Sequence, residues 1–347
     1  MLARLRGGPN RPGGTGKGPP AEGPDSLSRV MGSALDRAVG TLLRDCLDLD
    51  PSEEVLVICN PITEELGALL RINAQGEGGE ATLAVISERE SHAAEPPDAV
   101  AAAMLAADIV LAPTIQSISH TEARRAATEA GVRIASMPGV TGEMLARVMG
   151  ADLRLLRKRG TSVGRALGAG AEARITCERG SDLRLGLEDR TAIVDAGALN
   201  MRGAFGNIPC GEAFIAPLEG TAEGTLVVDG SIAGVGLISE PVELTVRDGH
   251  LTEATGNAGT QLLELLTEHG SDGTNVAELG IGTNESAVLT GNILEDEKIL
   301  GSAHVAFGAS AAIGGTIQVP VHLDCVVLRP TVDIDGAPIV DAGRLAV

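Results

Sequence analysis

The sequence predicts an α/β N-terminal domain with a parallel, Rossmann-like sheet, followed by a β-rich α+β C-terminal domain. Three observations carry that prediction. Between residues 55 and 136, continuous apolar runs alternate with helical stretches, the pattern of βαβ units whose strands are buried on both faces. After about residue 165 the texture changes to strands of alternating character, separated by Gly-rich turns such as Asp229-Gly230, Asp248-Gly249 and Asp335-Gly336. A chain of 347 residues also exceeds one compact core, which favours two domains. The expected division is a Gly/Pro-rich tail over 1–26, the α/β domain over 27–164 and the β-rich domain over 165–347.

Taken in order, residues 1–26 have no apolar periodicity and read as a disordered tail. The GGTGKG stretch within it (Gly13–Gly18) lacks both the Ser or Thr after its Lys and a preceding strand, so it is not a phosphate-binding loop. An amphipathic helix is expected over Ser33–Leu49, with Leu35, Val39, Leu42, Leu43 and Cys46 on one face. Strands are expected at Val55–Cys59, Thr82–Ile86, Ile109–Leu111 and Val132–Ser136, and helices at Glu64–Asn73, Asp98–Ala107 and Thr121–Ala130. The first strand is not followed by GxGxxG, which argues against a nucleotide cofactor. The basic segment Arg154–Gly164 reads as a linker or as the last helix of the first domain. Beyond it, strands are expected at Arg174–Cys177, Leu183–Leu187, Thr225–Val228, Val242–Val246, Val305–Phe307 and Val319–Val327, with one helix over Gly259–His269.

Composition removes several classes of function. With 47 acidic and 27 basic residues the formal net charge is −20, the opposite of a footprint for nucleic acid or an anionic membrane. Three Phe and no Trp or Tyr leave no stacking platform for bases. No apolar run approaches a membrane span and no signal-peptide pattern follows the basic N-terminus, so a cytoplasmic location is expected. Five scattered cysteines without a CxxC pair read as reduced, mostly buried thiols.

Six histidines leave few options for chemistry, and His322 is the most informative. In Gln318-Val-Pro-Val-His-Leu-Asp324, strand alternation sets Gln318, Pro320, His322 and Asp324 on one face, so His322 and Asp324 can bind the same ion. Eighteen residues earlier, His304 lies in another short apolar strand. Two imidazoles and a carboxylate suit zinc or non-heme iron. The competing explanation of HxD is a surface pair on a half-exposed strand. Glu212, in Asn207-Ile-Pro-Cys-Gly-Glu-Ala-Phe-Ile215, and Glu278, in Ala277-Glu-Leu-Gly-Ile281, are acids in apolar surroundings. Each requires a cation or hydrogen-bond donors, whether a metal, a turn or an arginine. His120 is a candidate base if the domains form a cleft, although Ser119-His120-Thr121 also suits a helix cap. Lys298, in Leu294-Glu-Asp-Glu-Lys298, either forms an ion pair near the site or, the preferred reading, belongs to a solvated charge cluster.

The order GE…AELGIGTN…HVAFG…HLD, with Gly308–Gly315 between the histidines, resembles the aminopeptidase T family of metallo-aminopeptidases. Thr121-Glu-Ala-Arg-Arg125 and Gly180-Ser-Asp-Leu-Arg184 extend the resemblance over most of the chain. It implies a cytoplasmic two-domain homodimer with two divalent ions (Zn, Co or Mn) and a peptide substrate. The implied ligands are Glu212, Glu278, His304, His322 and Asp324, with Glu212 or Glu278 as the proton shuttle. The implied reaction is hydrolysis of the first peptide bond by a metal-activated water. Three carboxylates and two neutral imidazoles carry −3, so one divalent ion leaves −1 and two leave +1. One position departs from the family pattern: Ala311 stands seven residues after the first histidine, where the family has a tyrosine. A related fold hosts 2,5-dihydroxypyridine 5,6-dioxygenase, which implies the alternative of one Fe(II) on His304, His322 and Asp324 and a small-molecule ring substrate. The third alternative is a non-catalytic metal-binding scaffold.

Overall fold

The computed structural model describes the chain from Pro24 to Val347. The expected tail and its GGTGKG stretch lie outside the described residues, except residues 24–26, which already belong to a helix. That helix, α1 (Pro24–Gly40), starts before the expected Ser33 and ends in a π-helical turn over Thr41–Cys46. The wider turn, with Leu47 N–H donating to Leu42 O, buries the adjacent Leu42 and Leu43 along with Cys46 and Leu47.

The first sheet follows the expected alternation. It comprises β1 (Glu54–Cys59), α2 (Glu64–Gly76), β2 (Glu80–Val85), α3 (Asp98–Ala106), β3 (Ile109–Ala112), α4 (Glu122–Ala130) and β4 (Arg133–Ser136). All four residues of β3 and all four of β4 are buried, which is why β3 is apolar without alternation, while β4 also buries Arg133 and Ser136. Helices α5 (Gly142–Val148) and α6 (Leu153–Ala169) follow, and Asp152 caps α6 by accepting from the Arg154 and Leu155 N–H groups. The basic segment is thus helical and runs through the expected boundary at 164.

From there the strands are β5 (Glu172–Thr176), β6 (Asp182–Gly186), β7 (Ile193–Asp195), β8 (Phe205–Asn207), β9 (Glu212–Ile215), β10 (Glu223–Val228), β11 (Ser231–Ile232), β12 (Gly236–Leu237), β13 (Val242–Arg247) and β14 (His250–Ala254). Helices α7 (Gly256–Thr267) and α8 (Gly270–Gly273), strand β15 (Val276–Gly282) and helix α9 (Ile293–Asp296) come next. The chain closes with β16 (Ala303–Gly308), β17 (His322–Val327), β18 (Thr331–Ile334), β19 (Ala337–Asp341) and β20 (Arg344–Leu345).

The described strands form a parallel five-stranded sheet ordered β2-β1-β3-β4-β8 and two antiparallel sheets. The larger is ordered β14-β13-β10-β6-β5-β18-β19-β20 and the smaller β12-β11-β17-β16-β15-β9-β7. The antiparallel sheets face one another across one apolar core, including Ile175, Leu226 and Leu244 from the first and Leu279, Val305 and Phe307 from the second. At the Asp248-Gly249 and Asp335-Gly336 hairpins both residues have positive φ, which explains that dipeptide at these turns.

Two expectations are corrected. Strand β8 pairs with β4, so a segment beyond residue 164 completes the first sheet. Strand β17 begins at His322 instead of Val319, because Pro320 has no N–H to offer a ladder and the chain before it loops away. Gln318 and Pro320 therefore do not share a strand face with His322 and Asp324. Among the described residues, no helix is long and apolar enough to cross a membrane.

Candidate metal centre

Strands β9, β15, β16 and β17 lie side by side, and their alternation sorts residues between two faces. Ala213, Ile215, Leu279, Ile281, Val305, Phe307, Cys325 and Val327 enter the apolar core. Glu212, Glu278, His304, His322 and Asp324 take the opposite face. The ladder pairs Glu212 with Gly282, His304 with Gly280, Asp324 with Ala306 and His322 with Gly308, so each of these four donors stands opposite a Gly or Ala. Space for the imidazole depends on this. A Cβ on Gly280 would lie 1.9 Å from His304 Nε2.

The five residues converge. His304 Nε2 lies 3.1 Å from Glu278 Oε1 and 3.4 Å from Glu212 Oε2. His322 Nε2 lies 3.4 Å from Glu278 Oε2 and 3.6 Å from Asp324 Oδ1. Glu278 therefore turns one oxygen to each imidazole. Two three-donor groups result, Glu212–Glu278–His304 and Glu278–His322–Asp324, and a third set, Glu297–His304–Asp324, overlaps them. The carbonyl of Ala309 can only accept, so His322 Nδ1 donates to it at 2.7 Å and leaves Nε2 bare for a ligand.

These residues fit a divalent ion. Glu212 Oε2 is buried without a hydrogen-bond partner, an arrangement that is costly unless a cation meets it. Burial pushes the Glu212 carboxyl up to about 8 against the pull of Lys298. Burial acts in the same direction on Glu278, but its two imidazole partners outweigh it and bring that carboxyl down to about 2. Burial would lower His304, yet Glu278, Glu212 and Asp324 raise it to about 9. His322 is likewise raised well above its ordinary value, with Asp324 and Glu278 overcoming burial. In each case the cluster recruits positive charge.

Lys298 corrects the sequence reading. It is 0% exposed, and its Nζ donates to Glu212 Oε1 at 3.0 Å and to Glu297 Oε1. The whole expected surface cluster is internal. Glu295 accepts two hydrogen bonds from Arg147, and Asp296 accepts from Ser231 Oγ and from the Thr290 and Gly291 N–H groups. Asp195, opposite Glu212 on β7, completes the surroundings of Lys298; burial raises its carboxyl to about 6. The ion pair near the site, the less favoured reading of Lys298, is the one found, whereas sequence reasoning misses Asp195 and Glu297 as site residues. The available signal was the apolar flanking of the charged run in Ile293-Leu-Glu-Asp-Glu-Lys-Ile-Leu300.

His120 does not join the donors. It lies on the loop before α4 with part of its ring accessible, and partial burial, then His322 and Arg124, lower its imidazole to about 4. Thr121, not His120, caps α4 by accepting from Arg124 N–H.

Comparisons with known proteins give two kinds of relative. The family described as NicX: 2,5-dihydroxypyridine 5,6-dioxygenase matches residues 53–347. The solved structure of 2,5-dihydroxypyridine dioxygenase from Pseudomonas putida KT2440 superposes with a TM-score of 0.78 at 20% identity, covering 90% of this chain and 97% of that one. Wild-type AmpT from Thermus thermophilus gives 0.68 at 19% identity, covering 91% and 100%. Aminopeptidase PepS of Streptococcus thermophilus is 26% identical over 179 residues, which span 45% of this chain and 43% of that protein. The likeness to aminopeptidases expected from the sequence is thus one of fold and of a distant partial relative. The match over residues 53–347 places the chain in the 2,5-dihydroxypyridine 5,6-dioxygenase family.

Proposed function

We propose that this protein is a two-metal hydrolase that releases N-terminal residues from peptides. One observation carries the reading: Glu278 directs Oε1 to His304 and Oε2 to His322, so it is shared by two adjacent three-donor groups. Charge supports it. Asp195, Glu212, Glu278, Glu297 and Asp324 set five formal negative charges against the ammonium of Lys298, and two divalent ions neutralise the remaining four. Ions bound there supply Lewis acidity and an activated water. Glu212, Glu278, His304, His322 and Asp324 would hold them. Glu212 or Glu278 would pass the proton to the leaving amine.

A second reading is a mononuclear iron enzyme that opens a dihydroxylated ring. The complete absence of tyrosine favours it, since Ala311 stands where the aminopeptidase T pattern has one. His304, His322 and Asp324 would form its two-His-one-carboxylate set.

Metal analysis with paired assays separates the two. Two equivalents of zinc, cobalt or manganese, with cleavage of free but not N-acetylated peptides, is the expected result. One iron with O₂ uptake on 2,5-dihydroxypyridine would replace the hydrolase with the ring-opening enzyme. His322→Ala and Asp324→Ala should each abolish retention of the ion at the Glu278–His322–Asp324 group; full occupancy in either would show that the ligand set is wrong.

A further inference from the structure

We propose that Lys298 is the positioning residue of the metal centre, an internal cation that holds one oxygen of Glu212 so that the other faces the metal. The inference rests on the two-metal reading above. A lysine is almost never fully buried without partners, and here its ammonium is enclosed by Glu212, Glu297 and Asp195. Two of its three donors are committed, to Glu212 Oε1 at 3.0 Å and to Glu297 Oε1. The consequence falls on the other oxygen of the same carboxylate. Glu212 Oε2 is left without a hydrogen-bond partner, 3.4 Å from His304 Nε2, where a metal shared with Glu278 would meet it.

The backbone braces both ends of this contact through one segment. Asn284 N–H donates to Lys298 O at 2.9 Å, while Asn284 Nδ2 donates to Cys210 O at 2.9 Å. Next to it, Thr283 N–H donates to Gly211 O at 2.8 Å, adjacent to Glu212. The residues on either side of the Lys298–Glu212 pair are thus tied to the same two positions of the chain. An ammonium held in this way fixes the rotamer of Glu212 and offsets the carboxylates that the metals do not reach.

The test is calorimetric titration of the metal-free full-length protein with Co²⁺, followed in parallel by the visible absorption of the bound ion. Wild type should take up two equivalents. Glu297→Gln alone alters a residue of the overlapping Glu297–His304–Asp324 set and is the reference against which the double variant is read. Lys298→Met combined with Glu297→Gln removes one charge of each sign, so the formal balance of the cluster is unchanged. This double variant should retain one equivalent at wild-type affinity and bind the other about 10- to 100-fold more weakly. A purely structural role would lower thermal stability without splitting the two equivalents. Lys298→Gln combined with Glu297→Gln keeps an amide donor at the same charge balance and serves where the first double variant fails to fold. If wild type binds two ions and the double variants bind both as tightly, the role of Lys298 is overturned while the two-metal reading stands. A wild type that binds one ion overturns both.

Discussion

On one face, strands β9, β15, β16 and β17 bury Ile215, Leu279, Val305, Phe307 and Cys325 against the eight-stranded sheet. On the other, residues one step away along the same strands bring two imidazoles and three carboxylates within ligand distance. The apolar face is stabilised by the area it removes from water, a non-directional effect spread over many side chains. The polar face depends on individual atoms: which oxygen of Glu278 meets which imidazole, and whether a Gly leaves room beside it. A sheet can host a charged centre when its other face supplies the stability.

If that division holds, changes on one face should leave the other intact. The largest effect is expected for Phe307→Ala, which empties a fully buried site in the core. Denaturant unfolding should show a loss of about 3–5 kcal/mol, with Co²⁺ stoichiometry unchanged. Loss of an equivalent would show that the two faces are coupled through β16. Metal removal comes next. At a free ion concentration about 100 times Kd, binding adds about 2.7 kcal/mol to stability, so chelation should lower the melting temperature and Zn²⁺ should restore it. A melting temperature insensitive to both would mean that this face carries no ion. Gly280→Ala should act in the opposite sense to Phe307→Ala. Displacing His304 should weaken one equivalent about 10- to 100-fold, read by the same titration. Two undisturbed equivalents would show that the imidazole does not need that space.

The smallest effect concerns the thiols. Burial pushes Cys46 up to about 12 and holds Cys210 and Cys325 well above the ordinary thiol range. Cys59 is also buried, whereas Cys177 is half-buried. A thiol reagent at pH 8 should therefore modify Cys177 alone among the five in the native protein. Rapid reaction of a second cysteine would reveal an opening of the core.

Period-two alternation made much of this sheet readable, because it sets Val305 and Phe307 apart from His304, and Leu323 and Cys325 apart from His322 and Asp324. The buried βαβ strands were readable from a different local signal, short continuous apolar runs between helical stretches. What stayed hidden depends on distant partners. Four consecutive charged residues, Glu295–Lys298, look solvated until Arg147, Ser231 and Glu212 are found around them. The π-helical turn at Thr41–Cys46 and the placement of β8 are likewise decided by tertiary packing. The π turn still keeps the apolar face that the helical periodicity marked.

Strand β8 gives the molecule a mechanical character. The first sheet is not completed until the chain has passed through β5, β6 and β7, so its last strand is borrowed from within the second unit. A nascent chain released at residue 164 would expose β4 as an unpaired edge. Only four residues, Ile208 to Gly211, separate Asn207, the end of that borrowed strand, from Glu212. A swing of one unit against the other would therefore pull on Glu212, one of the candidate metal donors, through this short tether.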